Sequence, residues 1–221
     1  MSHHDRDLDL TPELLLRAYA AGIFPMAETR DTNHVYWVDP KLRGVLPLAD
    51  FHVPRRLRRT VRNGNFDVTC NTDFAKVVAM CAETTPDRTD TWINPSIECA
   101  VNELHRMGFA HCVECRQNGE LVGGIYGISL GAAFFGESMF SRARDASKVA
   151  LVYLVARLKF SGYRLLDTQF ITDHLAQFGA IEIPARDYLY ELEDALKYQA
   201  AFPDVVKGDR WTECLRQTLF N

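Results

Sequence analysis

Three short segments of this chain set polar groups where a protein can do chemistry. Gly136-Glu137-Ser138-Met139-Phe140-Ser141-Arg142 puts an acid at the end of a hydrophobic strand. Leu166-Asp167-Thr168-Gln169 puts Asp167 and Gln169 on one face of another, because alternate strand residues share a side. Thr172-Asp173-His174 opens the helix that follows. Strand ends are where α/β proteins usually build their sites, and carboxyl, amide and imidazole groups gathered there can bind, orient and relay protons. A structural alternative stands beside this: Asp173 as a charge suited to a helix start, His174 as a satisfied core histidine, and Glu137 as an ion-pair partner.

A second concentration is cationic. The chain has 221 residues and a net charge of −4, yet Arg55, Arg56, Arg58, Arg59 and Arg62 crowd into one short stretch. Pro54 starts a helix there, and Asn63-Gly64 stops it, since either residue can take the left-handed capping conformation. Helical spacing puts Arg55, Arg58, Arg59 and Arg62 on one face and leaves Leu57 and Val61 opposite, free to dock. Such a face is either simply solvated or a contact to a phosphate backbone, because guanidinium groups pair with phosphate without reading bases. The asymmetry points to a local anionic partner rather than to a wholly basic nucleic-acid coat.

Two apparent motifs do not hold. His111-Cys112-Val113-Glu114-Cys115 suggests zinc, but the chain has no second ligand pair at zinc spacing. On a strand, moreover, the two sulfurs would point to opposite faces. No metal is expected. Gly123, Gly124, Gly127 and Gly131 match a phosphate loop only in number, because they fall inside strands; bulges or close approach explain them better.

The elements that must position these groups read as mixed α/β. Thr11 caps a helix with Pro12 in its first turn, and Leu10 and Leu15 form a hydrophobic staple; Gly22 ends it. Short extended pieces around 35–38 and 44–48 are too brief to build a core alone. Then come a strand from Phe66 to Cys70, a helix from Asp73 to Ala82, a linker, and a helix from Pro95 to Met107. Asn118-Gly119 marks a hairpin between strands at 111–117 and 120–130, and a third strand covers 132–140. The helix from Ala146 to Phe160 is apolar on nearly every side and must be buried. A strand at 164–169, a helix at 172–178, a short strand near Ile181 and an amphipathic helix at 186–200 complete the order. The composition, 47% hydrophobic and 24% charged, is that of a globular protein, and no apolar run approaches the ~20 residues of a membrane span. Met1 to Leu10 lacks a signal-peptide layout, and the six scattered cysteines look reduced, so a cytoplasmic protein is expected.

At these segments the chain resembles the leucyl/phenylalanyl-tRNA–protein transferase family. The blocks that carry the resemblance run in order: 17–25, 37–46, Thr91-Trp92-Ile93, 121–127, 136–142, Ala146-Ser147-Lys148, 166–169 and Phe178-Gly179-Ala180. Gly-Glu-Ser-Met-Phe-Ser is the most specific of them. The resemblance implies an α/β (α+β) protein with a small N-terminal domain, residues 1–63, and a GNAT-like (N-acetyltransferase-like) domain, residues 64–221, whose sheet is mixed but largely antiparallel. Ordinary acetyltransferases cradle a pyrophosphate in a glycine-rich turn. The matching turn here, Ser141 to Ser147, has no glycine, so acetyl-CoA is disfavoured and no cofactor is expected.

The implied activity is transfer of Leu or Phe, with Met as a further donor, from aminoacyl-tRNA to proteins beginning with Arg or Lys, marking them for N-degron degradation. Carried over by position, the donor side-chain pocket falls on Ile125, Phe134, Leu151, Leu154, Leu158 and Leu166. A pocket of that kind accepts apolar side chains by volume and rejects charged ones by desolvation. Trp92 matches an aromatic that stacks on the terminal adenosine, Met26 stands where the family has Trp, and Thr172 joins the substrate site. Catalysis falls on Gln169, Asp167 and Glu137. A glutamine amide carries no proton at neutral pH, so Gln169 is expected to accept a hydrogen bond from the attacking amine while its own NH₂ donates to Asp167. Glu137 and Asp167 would place negative charge near the basic acceptor residue. Arg55, Arg56, Arg58, Arg59 and Arg62 become the contact to the tRNA acceptor stem. No membrane and no DNA partner is expected. The rivals are an aminoacyl-tRNA transferase with a different acceptor, such as a peptidoglycan precursor or acidic N-termini, and a non-catalytic tRNA- or peptide-binding module.

Overall fold

The computed structural model describes residues 10–84 and 89–220. Residues 1–9, on which the targeting reading rests, and 85–88, in the linker before the Pro95 helix, lie outside them. The first helix, α1 (Pro12–Ala20), begins as its cap residue dictates: the Thr11 hydroxyl accepts the Leu14 N–H at 3.2 Å. Strands β1 (Phe24–Met26) and β2 (Tyr36–Val38) then form a small antiparallel ribbon.

The next strand, β3 (Leu42–Val45), departs from the sequence reading. Its sequence reads as one of several small N-terminal pieces, but it sits inside the main sheet, between two strands from far along the chain. In order, the remaining elements are α2 (Arg55–Arg62), β4 (Asp67–Cys70), α3 (Phe74–Ala82), α4 (Pro95–Arg106), β5 (Ala110–Gln117), β6 (Glu120–Leu130) and β7 (Ala133–Ser141). They continue with α5 (Ala146–Phe160), β8 (Leu165–Gln169), α6 (Asp173–Ala176), β9 (Ile181–Pro184), α7 (Ala185–Leu196) and α8 (Asp209–Phe220). The seven-stranded sheet has the order β4-β5-β6-β7-β8-β3-β9. Its pairings are antiparallel except β7 with β8, which are parallel and joined through α5. This is a mixed, largely antiparallel sheet, with β1 and β2 as a separate small ribbon.

The sheet separates two cores, and the period of two along each strand decides which residue enters which. On one side Tyr126, Phe135 and Cys112 pack with α1, α3, α4 and α7. On the other, Ile125, Phe134 and Cys115 pack with α2, α5 and α8. Cys112 and Cys115 therefore do lie on opposite faces. Helix α5 is buried along most of its length, pressed between the sheet and the α2 and α8 helices, as its unbroken apolar run requires. The sequence reading ended at residue 200 and missed α8, whose Leu215 and Leu219 complete this core; its pattern was weakened by Arg210, Glu213, Arg216 and Gln217 on the outer face.

The strand glycines are points of close approach. A Cβ on Gly127 would lie 2.2 Å from the Phe135 carbonyl oxygen and 2.4 Å from the Phe134 ring. Neither neighbour can yield, because both belong to β7 beside a register shift. Gly127→Ala is expected to destabilise the protein by about 1–3 kcal/mol or more, read as a lower urea midpoint at unchanged m-value.

Candidate active site

The site is made by two strands that start together and part. β7 and β8 pair only over Ala133↔Leu165, Phe134↔Leu166 and Phe135↔Asp167. Beyond Gly136, β7 follows β6 alone, while β8 turns away at Gln169. The gap opens into a cavity of about 490 Å³ with Ile125, Met139, Leu151, Leu154 and Leu166 in its walls and Glu137 and Gln169 beside it. Separating two hydrogen-bonded strands is how a sheet exposes polar groups and an apolar interior at one place.

Beneath the opening lies a buried ion pair. Arg43, on β3, grips Asp167 through Nε at 3.0 and 3.1 Å and through Nη2 at 2.6 Å. Its Nη1 donates to the Gly22 carbonyl at 2.9 Å, and its guanidinium lies against the Phe24 and Tyr188 rings. Tyr188, from α7, donates its hydroxyl to Asp167 at 2.7 Å. Asp167 is completely buried, and its oxygens are occupied by these donors and by the backbone N–H of Gln169 at 2.7 Å. It therefore does not face the cavity, and the charge expected from it near a basic acceptor is neutralised by Arg43.

Gln169 also differs from expectation. Its side-chain amide donates to Glu137 Oε1 at 3.2 Å, and only its backbone N–H reaches Asp167. The cause is a left-handed backbone at Gln169, φ +57°, which swings the side chain out of strand alternation and towards β7. Gly44 permits that turn: it is the register partner of Gln169, and a Cβ there would come within 2.7 Å of the Phe170 carbonyl carbon.

Glu137 completes the arrangement. Burial pushes its carboxyl up to about 8, and the nearby Asp167 adds to this, while a hydrogen bond from Tyr19 and the Arg43 charge pull the other way. The Tyr19 and Tyr126 phenols are held well above their usual range, chiefly by burial and then by Glu137, so both stay neutral. The cavity mouth thus holds a carboxyl poised to change charge near neutral pH, tied to a neutral amide.

Of the expected donor-pocket residues, Ile125, Leu151, Leu154 and Leu166 line the cavity, as do Trp92, Met26 and Thr172. Phe134 and Leu158 do not. Phe134 is enclosed where β7 and β8 are still paired, between Tyr163 and Phe202, and Leu158 lies one helical turn deeper along α5. Phe24, Met139, Phe170 and Leu175 take their place in the wall. His174 also lines the cavity; its ring packs edge-on to Phe178, and its Nε2 has no hydrogen-bond partner, so it is not the satisfied histidine of the structural alternative.

On α2, Leu57 and Val61 are buried and Arg55, Arg56, Arg59 and Arg62 are exposed. Arg58 is partly withdrawn: its Nε donates to Val53 O at 2.7 Å and its guanidinium lies over Phe220. Arg56 joins Arg144 and Lys148 around a second hollow that reaches the main cavity at His174. The turn before α5 reaches a left-handed conformation at Asp145, φ +69°, without any glycine. Sequence reasoning missed Arg43, Tyr188 and Tyr19. Arg43 carried a usable signal, a lone cation inside a short apolar strand; the two tyrosines lay unmarked on amphipathic helices.

The model of the leucyl/phenylalanyl-tRNA protein transferase family matches residues 45–193, and that of the N-terminal domain of the same family matches residues 8–41. A leucyl/phenylalanyl-tRNA–protein transferase of Paramagnetospirillum magneticum is 61% identical over 87% of this chain and 92% of its own length. One of Rhodopseudomonas palustris is 60% identical over 88% of this chain and 87% of its own. Among solved structures, the C-terminal domain of a candidate lysylphosphatidylglycerol synthetase from Agrobacterium fabrum is 12% identical, with a TM-score of 0.45 over 89% of this chain and 80% of that one.

The raised Glu137 carboxyl fixes a sign. The folded chain holds its proton up to about pH 8, whereas an unfolded glutamate releases it near ~4.3. Between these values the folded state binds more protons, so this group makes stability fall as pH rises. Glu137→Gln, which cannot ionise, is expected to match the wild type near pH 4 in chemical denaturation and to become progressively the more stable of the two towards pH 8.

Proposed function

The chain belongs to the leucyl/phenylalanyl-tRNA–protein transferase family, and from that membership we propose how its own residues carry the reaction. It is an aminoacyltransferase that moves Leu or Phe from aminoacyl-tRNA to the α-amino group of proteins beginning with Arg or Lys, in support of N-degron degradation. The observation that carries the reading is the apolar cavity between the parted strands with the Gln169–Glu137 pair at its mouth. The donor side chain lies between Ile125, Leu151, Leu154 and Leu166. Such a pocket separates neighbours that differ by one methylene by only ~1–3 kcal/mol, so it takes Leu, Phe and Met in graded measure. Trp92 offers a face for the terminal adenosine, worth ~1–3 kcal/mol for a stacked base.

The amine attacks the ester carbonyl, the new C–N bond forms, and the ester C–O bond breaks, the ribose oxygen leaving with a proton. Gln169 Nε2 is spent on Glu137, which turns Oε1 to the incoming amine as a hydrogen-bond acceptor. Glu137, poised at about 8, is matched to an α-ammonium of pKa ~7.7–8.0, so a proton passes between them at little cost. Asp167 touches no substrate. It holds the Gln169 backbone, with Arg43 and Tyr188 holding it in turn, and acts as a positioning residue.

The exposed arginines of α2, with Arg144 and Lys148 beside the cavity, line a cationic approach for the tRNA acceptor end. Contacts of this kind ignore base identity and suit an enzyme that uses several tRNAs. Among the described residues no helix is long and apolar enough to cross a membrane. We place the protein with its aminoacyl-tRNA in the cytoplasm, and take the division at residue 63 as one of sequence alone, since β3, which precedes it, lies inside the main sheet.

Two measurements test this. Labelled leucine from Leu-tRNA should enter a peptide beginning with Arg and not an otherwise identical one beginning with Asp. Gln169→Ala should lower kcat by roughly 10²-fold. Labelling of the Asp peptide would replace the acceptor class, and a near-wild-type rate in the variant would remove Gln169 from catalysis. Separately, Arg55→Glu with Arg59→Glu should raise KM for aminoacyl-tRNA and flatten its dependence on salt. Unchanged values of both would make this face mere solvated surface.

A further inference from the structure

On the flank of α5 turned away from the donor pocket lies a second cavity, of about 310 Å³, bounded by the edge strand β4 and by the segment that leads into α8. Arg157 forms part of its wall and is only 4% exposed. The guanidinium carbon stands 5.1 Å from the centre of the Trp211 ring, and Nε and Nη1 have no hydrogen-bond partner. An arginine cannot shed its proton, and a desolvated cation with N–H groups left unpaired is costly for a fold.

The acids nearby accept hydrogen bonds from other groups. Glu114 accepts from the Thr69 hydroxyl and from the backbone N–H groups of Thr72 and Asp73, both at 2.7 Å. Asp204, which lines the cavity, accepts from Asn71 Nδ2 at 2.5 Å. Tyr153 adds a hydroxyl group to the wall, while that of Thr72 donates to the Cys70 carbonyl at 3.3 Å.

We propose that this cavity is a binding site for a small free oxyanion of phosphate size, with Arg157 as its cationic partner and Trp211 as its lid. A free ion is favoured over a phosphate of a nucleic acid because Arg157 is recessed, and a backbone phosphate carries a ribose on each side. Since Arg157 and Trp211 join α5 to α8, the bound ion ties together the helices behind the donor pocket without touching substrate.

The probe is inorganic phosphate, replacing chloride at constant ionic strength, read by thermal unfolding and by tryptophan emission. The wild type should show a saturable rise of a few degrees in Tm and a saturable emission change. Arg157→Met should lose both. Val205→Glu, at an exposed position on the cavity wall, brings in a carboxylate with little demand on folding and should weaken the phosphate midpoint at least tenfold. An unsaturable response shared by all three proteins, or no response in the wild type, would overturn the proposal. Should Arg157→Met fail to fold, a wild-type midpoint in Val205→Glu would overturn it equally.

Discussion

The fold of this chain turns on one buried contact, the clasp of Asp167 by Arg43. Each group alone would be an uncompensated charge in the interior, and breaking such a pair costs about 3–5 kcal/mol because the survivor is stranded. Together they join segments that are far apart in the chain: Gly22 after α1, strand β3, strand β8, and Tyr188 on α7. The pair is also what gives the short strand β3 its place. Four residues of strand have little cohesion of their own, but a guanidinium gripping the Asp167 carboxylate ties the strand to β8.

From that clasp the geometry of the cavity follows. Asp167 accepts the Gln169 N–H and so holds the residue in a left-handed turn that an ordinary strand would avoid. Gly44 supplies the room. The turn ends β8 two residues past its pairing with β7, and the separation of the strands exposes the apolar wall of α5 and brings the amide of Gln169 to Glu137. Backbone strain is thus kept at one residue and held there by a charge beneath it, which is a common way to fix a polar side chain at a defined angle.

Much of this was legible in the sequence, and the limits have physical causes. Elements defined by local pattern were read well: the capped α1, the Asn118-Gly119 hairpin, and the apolar α5 that had to be buried. Asp167, Gln169 and Glu137 stand out in the sequence because their segments break apolar strands with polar groups. What escaped was non-local. Nothing near Arg43 says that its partner lies more than 120 residues away, and nothing in Leu-Asp-Thr-Gln reveals a positive φ, so the amide was assigned to Asp167 when it reaches Glu137. Phe134 and Leu158 match the pocket by position, yet the pairing of β7 and β8 encloses Phe134 and Leu158 lies a helical turn deeper along α5. Helix α8 was lost because its charged face obscures its apolar one.

The division of labour between the two carboxyls comes from their partners, since burial acts on both. Asp167 and Glu137 stand on neighbouring strands, but one meets a cation and several donors while the other meets phenols and an amide. The first is committed to structure, and its charge is cancelled where it stands. The second has no cation in contact, so burial lifts it to about 8, where it can exchange a proton with an amine. An arginine moved from Asp167 towards Glu137 would reverse these roles, pinning Glu137 as a carboxylate and leaving Asp167 a buried acid without a partner. The reactivity of the site is therefore set by which carboxyl the fold leaves unpaired, and that choice is made by the placement of β3.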